Sequence, residues 1–224
     1  MESSRATLAV LGGTGDLGGG LARRWARAGH RVLVGSRSAH KGEAAAQEIQ
    51  GELGDEIEVR GMDNVGAAQA AEVAVLTVPF AHQEPILAAV RDALAGKILV
   101  DCTVPLVPPK VARVQLPAEG SAALRAQRLL GAEVRVVSAF QNVGAEHLRD
   151  EHPIDCDVLV AGDDPEARDL VVRLVEAAGL KGWHAGPLAN SVAAEALTSV
   201  LIFINKRYRI SGSGIRITEP TKSP

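Results

Sequence analysis

Cysteine is scarce in this chain of 224 residues: Cys102 and Cys156 form no C-x-x-C pair and belong to no histidine cluster. That excludes a disulfide framework, leaves a zinc site without support, and suits a reducing compartment. There is no G-x-S-x-G elbow, no H-E-x-x-H and no paired-cysteine site, so no hydrolytic constellation is visible. No apolar run reaches about 18 residues and no apolar leader precedes the first strand-like segment, so a soluble, cytoplasmic protein is expected. The formal net charge of -3 provides no basic surface for nucleic acid. One more lack concerns a single position, where an acid is missing at the end of the second strand-like segment, and its meaning depends on what precedes it.

The chain is organised around Thr7-Leu8-Ala9-Val10-Leu11, which opens into Gly12-Gly13-Thr14-Gly15-Asp16-Leu17-Gly18. An apolar run, a turn with the spacing Gly13-x-Gly15-x-x-Gly18 and a helical segment make a strand-turn-helix of the dinucleotide-binding kind. The pyrophosphate is then expected on the N-terminus of the helix starting near Asp16, where free N–H groups and the helix dipole favour an anion. Arg31-Val32-Leu33-Val34-Gly35 supplies the second strand. At its tip, where an NAD site places an Asp or Glu on the ribose 2′-hydroxyl, stand Ser36 and Arg37, with Lys41 four residues on. A guanidinium fork and an ammonium suit a 2′-phosphate, so the expected cofactor is NADP.

The rest alternates in the same manner. Ala39 to Ile49 reads as helix, Ile57-Glu58-Val59 as a short strand and Asn64 to Ala71 as a brief helix. Val73 to Val78 reads as a strand covered on both faces. It leads into Pro79, Phe80 and His82 at a carboxyl end, where such sheets collect ligands. A helix from Gln83 to Leu94, a strand from Lys97 to Asp101, a proline-bearing loop from Cys102 to Gly120, a helix from Ser121 to Leu130 and a strand from Val134 to Phe140 follow. A last α/β unit spans Asp157 to His184, and a helix from Ser191 to about Tyr208 carries Leu197, Val200, Leu201 and Ile204 at helical spacing, as core or dimer seam. The expected fold is α/β, a Rossmann-type, doubly wound, mostly parallel sheet. Residues 1–150 form the NADP-binding domain, and residues 151–224 a smaller C-terminal α/β and helical portion that completes an acceptor site and supplies a homodimer contact. Chemistry must then come from a cofactor, because hydride transfer needs only orientation and exclusion of water. No side chain is expected to act as acid, base, nucleophile or metal ligand.

Leu11 to Gly18, Val34-Gly35-Ser36-Arg37 with Lys41, Leu76-Thr77-Val78-Pro79-Phe80 with His82, Gly162-Asp163-Asp164, Ala185-Gly186-Pro187-Leu188 and Gly214-Ile215-Arg216-Ile217 together resemble the NADPH-dependent reductases of the 8-hydroxy-5-deazaflavin coenzyme F-420 (F420). The resemblance runs in order over nearly the whole chain. It implies direct hydride transfer between nicotinamide carbon 4 and deazaflavin carbon 5. It implies further that Thr14, Gly15, Asp16 and Leu17 wrap the pyrophosphate, and that Ser36, Arg37 and Lys41 hold the 2′-phosphate. Val78, Pro79, Phe80 and His82 lie beside the nicotinamide half with Ala145 close by, and Gln141, Asn142 and Val143 border the deazaflavin. Gln141 departs from the family, which commonly has histidine there. That difference leaves two other readings open, an NADPH-dependent reductase of another flat acceptor such as a flavin or quinone, and a non-catalytic NADP sensor.

Overall fold

The computed structural model describes residues 5–149 and 152–218. In chain order the elements are β1 (Thr7–Leu11), α1 (Asp16–Arg27), β2 (Arg31–Ser36), α2 (Ala39–Leu53), β3 (Val59–Asp63), α3 (Asn64–Ala70), β4 (Val73–Leu76), α4 (Gln83–Val90), β5 (Ile98–Asp101), α5 (Ala122–Leu130), β6 (Arg135–Ser138), β7 (Asp157–Gly162), α6 (Pro165–Ala177), β8 (Lys181–His184) and α7 (Ser191–Tyr208). They build one eight-stranded sheet of order β3-β2-β1-β4-β5-β6-β7-β8. Every neighbouring pair is parallel except β6 and β7. This is the mostly parallel, doubly wound sheet expected from the alternation, and its order reverses between β1 and β4, the crevice where such sheets bind ligands.

Successive side chains on a strand point to opposite faces, and both faces here are covered. Leu8, Val10, Val32, Val34, Val75, Val100 and Val137 pack with Leu21, Trp25, Ile49, Val171 and Leu174 from α1, α2 and α6. Their neighbours Ala9, Leu11, Leu33, Ala74, Leu76, Leu99 and Val136 pack with residues of α3, α4 and α5, among them Ala67, Leu87 and Ala126. The near-continuous apolar runs read from the sequence follow from that two-sided burial.

Several boundaries move. The third strand runs Val59–Asp63 rather than over Ile57-Glu58-Val59, because its register with β2 pairs Val32 with Val59 and Ser36 with Asp63. The sixth ends at Ser138 rather than Phe140, since Phe140 takes a left-handed φ of 72° and turns its ring edge-on to Trp25 of α1, centroids 5.9 Å apart. The tail from Ile215 to Ile217 lies against β7: the Asp157 N–H donates to the Ile215 carbonyl and the Ile217 N–H to the Asp157 carboxylate. The tail beyond Thr218 and the boundary between residues 150 and 151 lie outside the described residues.

The two ends of the chain are tied to one another through α1. The Trp25 indole donates to the Leu174 carbonyl at 2.8 Å. Arg24, only 8% exposed, donates to the carbonyls of His147, Leu148, His152 and Ala178. A buried guanidinium is tolerated there because its donors meet carbonyl oxygens.

Candidate functional site at the carboxyl edge of the sheet

The tips of β2, β1, β4, β5 and β6 are stitched side by side. Gly12 and Gly13 donate to the Gly35 carbonyl at 3.1 and 3.0 Å, Thr77 donates to Leu11, Cys102 to Leu76 and Ala139 to Asp101. The glycine turn, Ser36-Arg37, Val78-Pro79-Phe80 and Gln141-Asn142-Val143 therefore all leave the same edge, which is what the sequence expected of them.

Within the turn the glycines have separate tasks. A Cβ on Gly18 would lie 2.5 Å from the Thr77 hydroxyl and 2.8 Å from the Gly13 Cα, so this glycine lets α1 close on the β4 tip. Gly15 differs: a Cβ there would meet only the Gly12 carbonyl at 3.5 Å, an ordinary contact. Gly15 is the N-cap of α1 and no side chain caps the helix. Thr14, Gly15 and Asp16 are exposed and Leu17 half-buried, so the helix start presents backbone donors to whatever lies over it. Asp16 itself pairs with Arg149 at 3.0 Å on the surface.

At the β2 tip Ser36 is buried, whereas Arg37 and Lys41 are exposed. Neither of their side chains makes an ion pair or hydrogen bond among the described residues. The first turn of α2 holds no acid, and its N-cap, Ser38, makes no side-chain cap. Cations at a helix N-terminus oppose the dipole. Helix stability therefore does not account for them, while an anion placed there would.

On the β4 side Val78 is buried against the turn, and a Cβ on Gly12 would stand 2.5 Å from its Cγ1. Pro79 and His82 are exposed and Phe80 is half-buried beneath the Arg125 guanidinium, 5.1 Å from its ring centre. Ala145 begins a short 3-10 turn, Ala145–Leu148, that lies on α1, where a Cβ on Gly20 would reach Leu148 at 2.5 Å. A cavity of about 450 Å³ opens beside this turn, lined by His147, His152, Cys156 and Gly212 among others; the glycine turn and the β4 tip do not line it.

Gln141 and Asn142 are 5% and 6% exposed. The Gln141 amide turns inward, donating to the Asp101 carbonyl at 2.8 Å, and Asn142 donates to the Ala194 carbonyl at 2.7 Å. Asp101 is fully buried; its carboxylate accepts from Gln83 Nε2 at 2.7 Å and from the Thr103 N–H at 2.8 Å. Around it Gln83 Oε1, Thr103 Oγ1, Ser138 Oγ and Gln141 Oε1 are buried without a partner among the described residues, a concentration of polar atoms unusual for a protein interior.

A family model described as NADP oxidoreductase, coenzyme F420-dependent, matches residues 7–105. The F420-dependent NADP reductase of Methanothermobacter marburgensis is 44% identical over 219 residues, covering 94% of this chain and 97% of that one. The enzyme of the same name from Methanocaldococcus jannaschii is 40% identical over 219 residues, with the same coverages of 94% and 97%. The chain belongs to the F420-dependent NADP reductase family. Among solved structures, a protein from Arthrobacter sp. FB24 assigned as an F420-dependent NADP reductase superposes with a TM-score of 0.78 at 28% identity, over 95% of this chain and 99% of that one.

Membership in the F420-dependent NADP reductase family leaves one feature unaccounted for, the buried acids behind the β5 and β6 tips. Burial pushes the Asp101 carboxyl up to about 6, although bonds from Thr103 and Gln83 oppose the shift. Burial also pushes Glu195 of α7 up to about 8, against the N–H groups of Ala122 and Ala123 and with the Asp101 charge adding to the rise. Both folded values exceed the ordinary carboxylate range, so the folded protein holds these protons more tightly than the unfolded chain. Their contribution to stability therefore falls as pH rises, from about 4 to 6 for Asp101 and from about 4.5 to 8 for Glu195. Urea unfolding at pH 5 and pH 8 checks this: Glu195→Gln should narrow the difference in stability between the two, and an unchanged difference would contradict it.

The sequence reading missed Asp101, Gln83, Glu195 and Thr198. Ser191, Glu195 and Thr198 at i, i+4 and i+7 among the apolar residues of the helix were the available signal. In α7 the buried positions are Ser191, Ala194, Glu195, Ser199 and Leu201, while Val200 and Phe203 are 42% and 58% exposed. Of the four apolar residues named beforehand, Leu201 alone is fully buried and Val200 faces outward.

Proposed function

We propose that this protein is an F420-dependent NADP reductase that binds NADP(H) across the β1–β4 crevice and moves hydride directly between it and the deazaflavin. The observation carrying the NADP half is the pair of unpaired cations, Arg37 and Lys41, at the β2 tip beside an uncapped α2 and without the acid of an NAD site. The acceptor half rests on relatives at 40–44% identity over most of the chain. Nicotinamide carbon 4 supplies or receives the hydride, and the deazaflavin exchanges it at carbon 5. The protein holds, orients and dries. The backbone N–H groups of Asp16 and Leu17, with Thr14 and Gly15 beside them, receive the pyrophosphate, and Ser36, Arg37 and Lys41 the 2′-phosphate. Val78, Pro79, Phe80 and His82, with Ala145, flank the nicotinamide half. Gln141, Asn142 and Val143 form the acceptor wall, with residues 151–224 as the smaller portion that supports it.

A hydride-transfer assay with NADPH against F420, FMN and a quinone tests the reading. Fast turnover of F420 and slow turnover of the other two is expected; FMN or quinone reduction faster than F420 reduction would replace it. No titrating side chain takes part in the transfer on this view.

The outward face of α7 supports a homodimer. Val200, Phe203, Tyr208 and, just beyond, Ile210 are exposed, and the stretch Leu188–Tyr208 is long and apolar enough to cross a membrane by length and composition alone. Its other face buries Glu195 and three serine and threonine contacts, which suits packing on protein, so the apolar side is assigned to a second copy in a soluble, cytoplasmic dimer. Sedimentation of the wild type should give a dimer and Phe203→Glu a monomer; a monomeric wild type would refute the assignment.

A further inference from the structure

Five elements meet behind the acceptor wall in a closed ring of hydrogen bonds. From α7, the Glu195 carboxylate accepts from the Ala122 N–H at 2.6 Å and the Ala123 N–H at 3.1 Å, the first amides of α5. The Ala122 carbonyl accepts from Gln83 Nε2 of α4 at 2.9 Å, and the same nitrogen donates to the Asp101 carboxylate of β5. The Asp101 carbonyl accepts from the Gln141 amide beyond β6. The ring closes on α7, where the Thr198 hydroxyl donates to the Gln141 carbonyl at 2.8 Å. Two further bonds brace it: Ser191 meets Ser121, the N-cap of α5, at 2.7 Å, and Asn142 donates to Thr198 Oγ1 at 3.2 Å.

Resting on the function assigned above, we propose that Glu195 and Thr198 are positioning residues for the acceptor. They act through their bonds to Gln141 and to the Ala122 and Ala123 amides, which fix Gln141-Asn142-Val143 and the end of the proline loop, the segments assigned to the acceptor wall and its support. The wall needs such a brace. Its chain leaves β6 through Phe140 in a left-handed conformation, which costs free energy at a non-glycine residue and persists only where the surroundings hold it. A buried acid aimed at a helix start is also an expensive way to cap α5, because Ser121 already caps the Leu124 N–H at 3.0 Å. The acid is explained by what it joins: it is the bond through which α7, carrying Thr198, is locked to α5. The glycine turn and the Ser36-Arg37 tip lie outside the ring, so its effect falls on one coenzyme.

The test measures equilibrium binding of F420 and of NADPH, each alone by fluorescence titration, together with KM and kcat, in Glu195→Gln, Thr198→Val and Thr198→Ser. Glutamine keeps the shape but sets an N–H against one of two N–H groups, valine removes the hydroxyl, and serine keeps it. Glu195→Gln and Thr198→Val should weaken F420 binding and raise its KM roughly three- to tenfold, the scale of one hydrogen bond. NADPH binding should stay within about twofold, and Thr198→Ser should restore F420 affinity. Where Glu195→Gln does not fold, Thr198→Val against Thr198→Ser decides alone. Unchanged F420 affinity in folded variants, or equal weakening of both coenzymes, would overturn the proposal. If wild-type protein binds and turns over another acceptor in place of F420, the functional reading fails instead, and the two failures are distinct.

Discussion

Arg37→Ala should weaken NADPH binding ten- to hundredfold and leave NADH within about twofold. The 2′-phosphate is the difference between these cofactors, and one charge-assisted hydrogen bond to such a group contributes about 1.5–3 kcal/mol. Arg37 is free to supply it, since its side chain has no partner among the described residues to compete with the phosphate. Lys41, one turn into α2 and likewise unpaired, adds a point charge, so Lys41→Ala should cost less because an exposed ammonium remains hydrated. The loss should shrink at high salt, where exposed charges are screened. Neither variant should lose stability, because both side chains are exposed and unpaired among the described residues and a cation at this helix start opposes the dipole. Titrations of both nucleotides against wild type and variant decide the matter; equal wild-type affinities for NADPH and NADH would remove the basis of the assignment.

The halves of the crevice were unequally legible in the sequence, for a physical reason. The turn, the helix start and the β2 tip lie within about thirty residues of one another, and each is dictated locally, by glycine spacing, strand alternation and charge type. The doubly wound sheet follows from repeated strand-helix periods of the same local kind. The hydrogen-bonded cluster behind the β5 and β6 tips is assembled from Gln83, Asp101, Ala122, Gln141 and Thr198, spread over more than a hundred residues, and no spacing rule connects them. Gln141 illustrates the limit. Its departure from histidine is visible in the sequence, but that its amide turns inward to the Asp101 carbonyl is visible only in the fold. In α7 the hydrophobic pattern alone did not separate the two faces: Leu201 is buried, Leu197 and Ile204 are half-buried and Val200 is exposed, while the polar Ser191 and Glu195 turn to the core.

Gly15→Val should abolish binding of NADPH and NADH alike while the protein stays folded and its melting temperature moves little. The two glycines of this turn that flank it cannot be used for such a test. A side chain on Gly13 would press on the Val10 carbonyl at 2.8 Å and one on Gly18 on Thr77 and the Gly13 backbone, so substitution there strains the protein before any ligand arrives. Gly15 has an extended backbone, φ -86° and ψ 170°, which valine adopts without strain, and a Cβ there meets nothing closer than 3.5 Å. The protein therefore tolerates the branched side chain, whereas a pyrophosphate drawn onto the N–H groups of Asp16 and Leu17 must occupy that same space. Two methyl groups there hold the anion away from its donors and leave those contacts unmade, which removes the anion site. Gly15→Ala, with one small group, should lie between wild type and valine in affinity at unchanged stability. A folded Gly15→Val protein that binds NADPH normally would show that the phosphate does not approach this turn, and the cofactor would have to be placed elsewhere on the edge. A variant that loses both binding and stability would show instead that Gly15 has a packing role that its surroundings do not suggest.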